Sequence, residues 1–337
     1  MSESENPSES PVVAGSRSTS NDDTNRELPV IDYKKLPAGK ELKKKDLPAP
    51  KDRRPWDKVE LPVDILLLTV VDCEFLACVH YLKPQFYLSY DEKVGSVWFG
   101  EIGTLKIALC QSPTKGSAQA LILVKDAVEV LRPKAVFWVG FCAGLKEDKV
   151  KSGDVVISSK LRTYAREKVT EKITIDRNIA VPLYKNLLDL VTTADYGWNP
   201  PLKDEEELEV KVVKDGVILS GPKVVDNKRL RAQLVEQCPE ATALEMEGEG
   251  LFEAARDLKI EWVLIKGVSD YADGTKASSD PWRSFASFMA ASVTAHILSD
   301  PIAFKSWPHH GGASSAEEAK RKAAEASDQS DKRLKET

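Results

Sequence analysis

Three acidic motifs in the middle of the chain contain side chains that could do acid–base chemistry. Glu74 follows an apolar run in TVVDCEF, Glu247 precedes a helix-like stretch in LEMEGEG, and Asp270 follows another apolar run in GVSDYADG. In open α/β sheets, ligands bind at the carboxyl ends of strands, where such motifs would meet. A protonated carboxyl group and an ionised one, held on opposite sides of a reacting bond, could act as general acid and general base.

Each motif also has an ordinary structural explanation. Acids before a helix, such as Glu245 and Glu249, often only complement the helix dipole. A Ser-Asp pair such as Ser269-Asp270 is often a turn or a helix cap, and glycines after a strand are often plain turn residues. The specific signal is the occurrence of all the motifs together, in this order along one chain.

The elements that would position these motifs alternate between strand-like and helix-like patterns. Apolar runs predict buried strands at 63–71, 96–99, 105–109, 135–139, 154–158, 217–221 and 262–267. Helical periodicity predicts helices at 117–131, 181–194, 227–237, 249–258 and 281–298. This alternation predicts the α/β class: a single three-layer α/β/α domain with a mixed, largely parallel twisted sheet.

Composition divides the chain into a central domain and two polar ends. Residues 1–60 are rich in polar, basic and proline residues, which predicts a disordered, partly basic tail. Residues 61–305 contain the strong apolar runs and form the predicted domain. Residues 306–337 are again polar, which predicts a disordered C-terminal tail.

Bulk properties exclude several classes of function. The formal net charge of −5 gives no general attraction to nucleic acid. No apolar run is long enough to span a membrane, and the polar N-terminus does not fit a secretory signal, so we expect a cytoplasmic protein. The five cysteines contain no CxxC pair, and no ligand cluster is apparent, so neither a metal nor another cofactor is expected.

Together, the motifs resemble those of the purine nucleoside phosphorylase and nucleosidase superfamily, in particular its methylthioadenosine/S-adenosylhomocysteine nucleosidase branch. The family pattern is a strand that ends in a base Glu, a Gly-rich segment with a following GDVVIS, an EME-type ribose motif and an SD acid motif. Here these stand as TVVDCEF, VGFCAGL with SGDVVIS, LEMEGEG and GVSDYADG. The resemblance covers the middle domain, from about residue 63 to 298.

The resemblance implies a role for each matching residue. Asp270 would protonate N7 of the departing purine, Ser269 would orient Asp270, and Glu74 would activate the attacking water. Met246 would pack under the ribose and Glu247 would bind its hydroxyls. Because the acid must hold its proton near neutral pH while the base stays ionised, we expect opposite environments for Asp270 and Glu74.

The resemblance also implies where the base lies and which nucleophile is used. The base would lie against Val224, Val225 and Phe141, although family members often have an aromatic ring where Val224 stands. The two glycines of VGFCAGL are expected to flank a tight turn that exposes backbone N–H groups. Phosphorylases commonly carry an Arg just before this segment to hold phosphate, and Trp138 stands there instead, which favours hydrolysis.

Several cations are expected near the site: Lys115, Lys160, Arg162, Lys276 and Arg283. The candidates to bind a 5′ phosphate are Lys266, Lys115, Arg162 and Lys276. For any single one of them, a solvated surface is the alternative explanation. Lys266 stands where nucleosidases tend to have Arg, so a cation is kept but the bidentate fork is lost. The segment KGVSDYADGTK also resembles phosphorylase-like domains of immune and antiviral systems, some of which hydrolyse adenine nucleotides, including ATP.

These observations predict a hydrolase that cleaves the N-glycosidic bond of a purine nucleoside or nucleotide, with an adenine nucleotide such as ATP as the favoured substrate. Methylthioadenosine or S-adenosylhomocysteine is the alternative substrate. A true phosphorylase and a non-catalytic nucleotide-binding module are the alternative functions. The family implies a homo-oligomer, a dimer or a hexamer, and no membrane or nucleic-acid partner is expected.

Overall fold

The fold is that of a computed structural model, which describes residues 28–171, 173–204, 208–275 and 280–312. Lys276, one of the predicted phosphate-binding residues, lies outside these residues. Residues 1–27 and 313–337 of the two predicted tails also lie outside them.

Most strands of the described chain belong to one mixed sheet. Its strands are β1 (Ile65–Thr69), β2 (Tyr87–Asp91), β3 (Gly95–Ile102), β4 (Leu105–Gln111), β5 (Ala135–Gly144), β6 (Val155–Thr163), β9 (Ala180–Pro182), β10 (Val212–Ser220), β11 (Ala243–Glu245) and β12 (Glu261–Asp270), while β7 (Glu167–Val169) and β8 (Thr174–Asp176) form a separate hairpin. In the centre, β1 pairs in parallel with both β4 and β5. Its sequence ILLLT is buried at every residue, as expected for a strand covered on both faces.

Helices cover both faces of this sheet. They are α1 (Asp72–Val79), α2 (Ser117–Leu131), α3 (Lys185–Val191), α4 (Lys228–Gln237), α5 (Gly248–Leu258) and α6 (Asp280–Leu298). On β12, Gly267 faces α6, since a Cβ there would lie 2.0 Å from the carbonyl oxygen of Ala286. The preceding Lys266 faces the acids before α5. The predicted three-layer α/β/α fold is therefore confirmed, and none of the described helices is both long and apolar enough to cross a bilayer.

At one end of the sheet, the strands curl so that β11 also pairs with β5, and this brings the sequence motifs close together. The strand order is β11-β10-β6-β12-β5-β1-β4-β3-β2, and β11 pairs a second time, with the last residues of β5. Ala143 of β5 thus has Leu244 on one side and Asp270 on the other. The carboxyl ends of β5, β11 and β12 therefore meet at one place.

Two predicted elements differ from the observed ones. The glycines of VGFCAGL lie inside β5, which continues to Gly144, and not in a tight turn. The predicted helix at 181–194 is instead the short strand β9 followed by α3. Strand β9 forms because Val181 pairs with Leu161 at the edge of β6, a long-range contact that local periodicity does not reveal.

Part of the predicted N-terminal tail is packed onto the domain. Within residues 28–60, the apolar side chains of Ile31, Leu36 and Leu42 are buried in the main core. The backbone N–H of Leu42 donates a hydrogen bond to Nε2 of His80 (2.7 Å). Apolar residues spaced among the charged ones give this segment enough surface to bury, so the packed chain begins before residue 61.

The packed chain also passes the predicted C-terminal boundary at residue 305. The ring of Trp307 contacts that of Phe304, with their centroids 4.9 Å apart, and the backbone N–H of His310 donates to the carbonyl of Pro133 (2.9 Å). The described residues 306–312 thus pack against the domain.

Candidate active site

A cleft of about 690 Å³, partly open to solvent, lies where the carboxyl ends of the strands meet. Glu74, Glu247 and Asp270, one carboxylate from each acidic motif, lie in its wall. The complete lining is Val70, Val71, Glu74, Lys115, Phe141, Cys142, Ala143, Lys223, Val224, Val225, Leu244, Glu245, Met246, Glu247, Asp270 and Arg283. The fold therefore brings the separate motifs of the sequence to one place.

Three backbone N–H groups hold the carboxylate of Glu74. Its Oε2 accepts hydrogen bonds from Val70 N (2.7 Å) and Val71 N (3.0 Å), and its Oε1 accepts one from Phe141 N (3.1 Å). Burial raises the pKa of Glu74, although the charge of Lys266 acts in the opposite direction. A fixed carboxylate with a raised pKa is a better acceptor for a water proton than an exposed one.

Gly140 leaves the space that this carboxylate occupies. A Cβ at position 140 would lie 2.1 Å from Oε1 of Glu74 and 2.5 Å from its carboxyl carbon. These distances are far below van der Waals contact, so any side chain here would push the carboxylate away. The glycine in VGFCAGL is therefore explained by a close approach and not by turn geometry.

The sequence predicts that Glu74 takes part in base release, so we expect the Gly140→Ala change to lower kcat for that predicted reaction by about 10²-fold, because a shift of a reacting group of about 1 Å is enough for such a loss. The chain should still fold, since the methyl group meets the end of a side chain and not backbone. Steady-state rates and thermal unfolding, measured on one preparation, test both parts. A folded variant with unchanged kcat would show that catalysis does not need Glu74 where it lies.

Asp270 ends β12 and contacts a hydroxyl group that has two possible roles. Its Oδ2 lies 2.8 Å from Ser269 Oγ, and its Oδ1 accepts a hydrogen bond from Ala272 N (3.0 Å). Ser269 Oγ also lies 3.2 Å from the carbonyl oxygen of Cys142. The hydroxyl can donate to an ionised Asp270, or donate to Cys142 and accept a hydrogen bond from a protonated Asp270.

The opposite environments predicted for the two carboxylates do not appear as a difference in burial. Glu74 and Asp270 are each 4% exposed, and burial raises the pKa of Glu74. The opposite protonation of the two groups stays a prediction, and the contacts of the two groups differ. Glu74 accepts three main-chain N–H bonds, which favour its ionised form. Asp270 accepts the N–H of Ala272 and also contacts the hydroxyl of Ser269, which can serve either form of a carboxyl group.

Lys266 lies behind the cleft wall, among the acids. It is 1% exposed, and its Nζ lies 3.7 Å from Oε2 of Glu245 and 3.6 Å from Oε2 of Glu247. Burial acts to lower the pKa of Lys266, but the charges of Glu247, Glu245 and Glu74 outweigh it and the pKa is raised. Lys266 is thus a buried counter-ion to the carboxylates. Its predicted role as a phosphate ligand is corrected, because it does not line the cleft.

Glu245 shapes the corner from which Glu247 projects. Its carboxylate accepts hydrogen bonds from the backbone N–H groups of Glu247 (2.9 Å) and Gly248 (3.0 Å) at the start of α5. These are the otherwise unpaired donors of a helix N-terminus. The contacts of Glu245 thus show the structural role considered for it above, which is to stabilise the N-terminus of the following helix. Glu245 also lines the cleft.

The N-terminus of α2 holds the same corner from the other side. Oε1 of Glu247 accepts a hydrogen bond from Gly116 N (3.1 Å), and Ser117 Oγ donates to the carbonyl oxygen of Met246 (3.1 Å). The two helices can approach this closely because Gly250 of α5 has no Cβ, which would lie 1.9 Å from the Ser117 carbonyl oxygen. Met246 and Glu247 are therefore fixed at the cleft wall.

The predicted base-binding residues form another part of the wall. Val224, Val225 and Phe141 all line the cleft, with Val225 buried and Val224 65% exposed. The hydroxyl of Tyr164 donates to the carbonyl oxygen of Lys223 (3.1 Å) and accepts from its N–H (3.2 Å), which anchors this segment. The surface offered to a ligand at Val224 is aliphatic and solvent-accessible.

The predicted phosphate-binding residues occupy different places. Lys115 lines the cleft. Arg162 does not, because its guanidinium pairs with Asp176 (3.5 Å) and Glu240 (3.4 Å) outside the cleft lining. The prediction for Arg162 is therefore corrected.

Two further cations, Lys223 and Arg283, line the cleft. The sequence places Arg283 among the cations expected near the site, whereas no motif assigns Lys223 a role. Lys223 lies inside SGPKVV, directly before the predicted base-binding valines. Arg283 lies in the first turn of α6, the helix that follows the SD segment. For Lys223, the closeness in sequence to the predicted base-binding valines is the signal that could have identified it.

Comparisons with known proteins identify relatives of this fold. The profile of the family described as the Phosphorylase superfamily matches residues 74–298. The death domain-containing ATP nucleosidase of Amphimedon queenslandica is 30% identical over 278 residues, which cover 75% of this chain and 51% of that protein. The chain thus spans about half the length of this relative.

Two other relatives are methylthioadenosine/S-adenosylhomocysteine nucleosidases. The enzyme of Haemophilus influenzae (strain 86-028NP) is 26% identical over 187 residues, which cover 54% of this chain and 76% of that protein. The solved structure from Neisseria meningitidis, in complex with methylthio-immucillin-A, superposes with a TM-score of 0.59 at 20% identity and covers 70% of this chain and 98% of that one. At this identity, the structural likeness shows the fold.

Proposed function

This chain belongs to the phosphorylase superfamily, and from that premise we propose that it is an N-glycosyl hydrolase that releases the base of a purine nucleoside or nucleotide. The observation that supports this most strongly is the placement of Glu74, Glu247 and Asp270 in the wall of one cleft. Relatives that are 30% and 26% identical are nucleosidases, which supports the same activity.

In the proposed reaction, the bond between C1′ of the ribose and N9 of the purine breaks, and its electron pair leaves with the base. Asp270 gives its proton to N7, so that the base departs neutral. The sugar gains oxocarbenium character, and a water molecule attacks C1′ while Glu74 accepts its proton. Glu247 binds the ribose hydroxyls and Met246 packs under the ring, which keeps C1′ between the two carboxylates.

Hydrolysis is favoured over phosphorolysis by residue 138. Where phosphorylases commonly have an Arg, this chain has Trp138, which is fully buried and cannot bind an anion in the cleft. Water is the nucleophile that fits the proposed roles, because Glu74 is proposed to accept a proton from it, whereas phosphate would not need a proton acceptor.

For the substrate, we infer an adenine nucleotide such as ATP. Lys115, Lys223 and Arg283 line the cleft, and the Amphimedon relative is an ATP nucleosidase. Methylthioadenosine or S-adenosylhomocysteine is the second candidate, favoured by the apolar lining from Val70 and Leu244 and by the Haemophilus relative.

Chromatographic detection of the released base tests the proposal. Purified protein is incubated with ATP, AMP, adenosine, inosine, methylthioadenosine and S-adenosylhomocysteine, each with and without phosphate. Release of adenine from ATP without phosphate supports nucleotide hydrolysis. It also supports the predicted resemblance to the phosphorylase-like domains of immune and antiviral systems. Release from methylthioadenosine alone supports the second candidate. Release only with phosphate indicates a phosphorylase, and tight binding without any release indicates a binding module; either result overturns the proposal.

Glu247→Ala should reduce kcat/KM by about 10²-fold or more, because a charged hydrogen-bond acceptor for the ribose is removed from a buried site. Glu253→Ala is the matched control: Glu253 lies on α5 and binds Arg166, away from the cleft lining. Base release by the two variants is compared with that of the original chain. An equal loss of kcat/KM in both variants, or no loss in Glu247→Ala, would contradict the role of Glu247 in binding the ribose.

A further inference from the structure

Three basic side chains from separate parts of the chain converge on the cleft. Lys115 precedes α2, Lys223 follows β10, and Arg283 lies in the first turn of α6. Among the residues that the structure describes, neither Lys115 Nζ nor Lys223 Nζ makes a hydrogen bond or an ion pair. By contrast, Arg162 already has two acidic partners. Two of the cleft cations thus remain available to a ligand.

Arg283 is held in the cleft wall and keeps one buried donor without a partner among the described residues. Its Nη1 pairs with Asp280 (2.7 Å), and its guanidinium carbon lies 5.6 Å from the centre of the Phe141 ring. Its Nε is buried and has no hydrogen-bond partner within the described chain. A buried donor without a partner is costly, so the guanidinium leaves one hydrogen bond unmade in this position.

These cations lie beside a strongly acidic surface. Glu74, Glu245, Glu247 and Asp270 line the same cleft, and one buried cation, Lys266, lies behind them. A polyanionic ligand would be repelled by this surface unless its charged part met cations of its own. Lys and Arg side chains bind phosphate oxygens through charge-assisted hydrogen bonds, whereas a methylthio group offers no charge for three cations to bind.

We propose that Lys115, Lys223 and Arg283 bind the 5′-phosphate groups of the substrate, so that nucleoside 5′-triphosphates are preferred over uncharged nucleosides. This inference rests on the proposed function of the cleft. Arg283 provides a forked donor group, and the two lysines provide mobile charges on the other sides of the phosphate chain. In this arrangement, the acidic part of the cleft holds the reacting glycosidic bond and the basic part holds the phosphates.

The ratio of kcat/KM for ATP to kcat/KM for adenosine tests this assignment. Arg283→Met and Lys223→Met should each lower the ratio by about tenfold or more, as expected for a lost hydrogen bond to a charged group. Arg162→Met is the matched control, and it should leave the ratio unchanged because Arg162 is paired outside the cleft lining. Lys223 is exposed, so its variant tests the proposal even if Arg283→Met fails to fold.

Equilibrium binding separates failure of this assignment from failure of the hydrolase proposal. Calorimetry with Asp270→Asn protein, with and without Arg283→Met or Lys223→Met, measures affinity without turnover. ATP should bind more tightly than adenosine, and the cation changes should remove that difference. If no substrate releases base but this pattern is found, the hydrolase proposal fails and the subsite stands. Equal affinity for ATP and adenosine, or an equal loss with Arg162→Met, overturns the subsite. Base release that depends on inorganic phosphate also overturns it, because the cations would then bind free phosphate.

Discussion

Replacement of Asp270 by Asn is expected to lower kcat for base release by about 10³-fold, within the range found for general acids. The amide has nearly the same shape but has no proton to give to N7 of the base. Its oxygen can still accept the hydrogen bond from Ala272 N. Its nitrogen can donate to Ser269 Oγ, whose own proton can turn to the Cys142 carbonyl oxygen. The change therefore removes the chemistry while leaving these contacts possible.

A matched control is available in the same segment. Asp273→Asn makes the same chemical change three residues further on, where the carboxylate binds Thr275 and does not line the cleft. We expect near-normal base release from that variant. Single-turnover rates, with thermal unfolding of both proteins, make the comparison. An Asp270→Asn protein with normal rates would contradict the assignment of Asp270 as the acid.

The sequence was sufficient to predict the α/β class and the meeting of the three acidic motifs, but not the complete lining of the cleft. Buried strands appear as continuous apolar runs, such as ILLLT in β1, because both faces of the sheet are covered. Ligand sites in such folds lie at the carboxyl ends of strands. The positions of Glu74, Glu247 and Asp270 next to such runs therefore predicted that they would share one site, and the fold places all three in the wall of one cleft.

Contacts between distant segments account for most of what the sequence did not predict. Residue 140 of β5 has to be a glycine because the side chain of Glu74, from α1, occupies the space where a Cβ would lie. Likewise, Lys266 appeared to be a phosphate ligand because the acids that bury and pair with it are distant in sequence or on other strands. A single glycine or lysine has the same local pattern in either role. Only the packing decides between them.

Glu74→Gln is expected to lower kcat by a similar factor, about 10²–10⁴-fold, because the amide cannot accept a proton from the attacking water. The amide oxygen could still accept the N–H bonds of Val70 and Val71. Its nitrogen would then face the N–H of Phe141, so a small loss of stability is also expected. Glu249→Gln is the control, since Glu249 binds Arg166 and does not line the cleft. Comparable losses in both variants would count against Glu74 as the base.

The pH dependence of the unmodified protein provides an independent test of the same role. Glu74 must be ionised to accept a proton, and burial raises its pKa above the ordinary value for Glu. As the pH falls, Glu74 is thus protonated earlier than an exposed Glu, whose pKa is about 4.3. We expect kcat/KM, which reports the free protein, to decline at a pH clearly above that value. A decline only at or below it would mean that the base ionises as an exposed carboxylate does, and would exclude the buried Glu74 from this role.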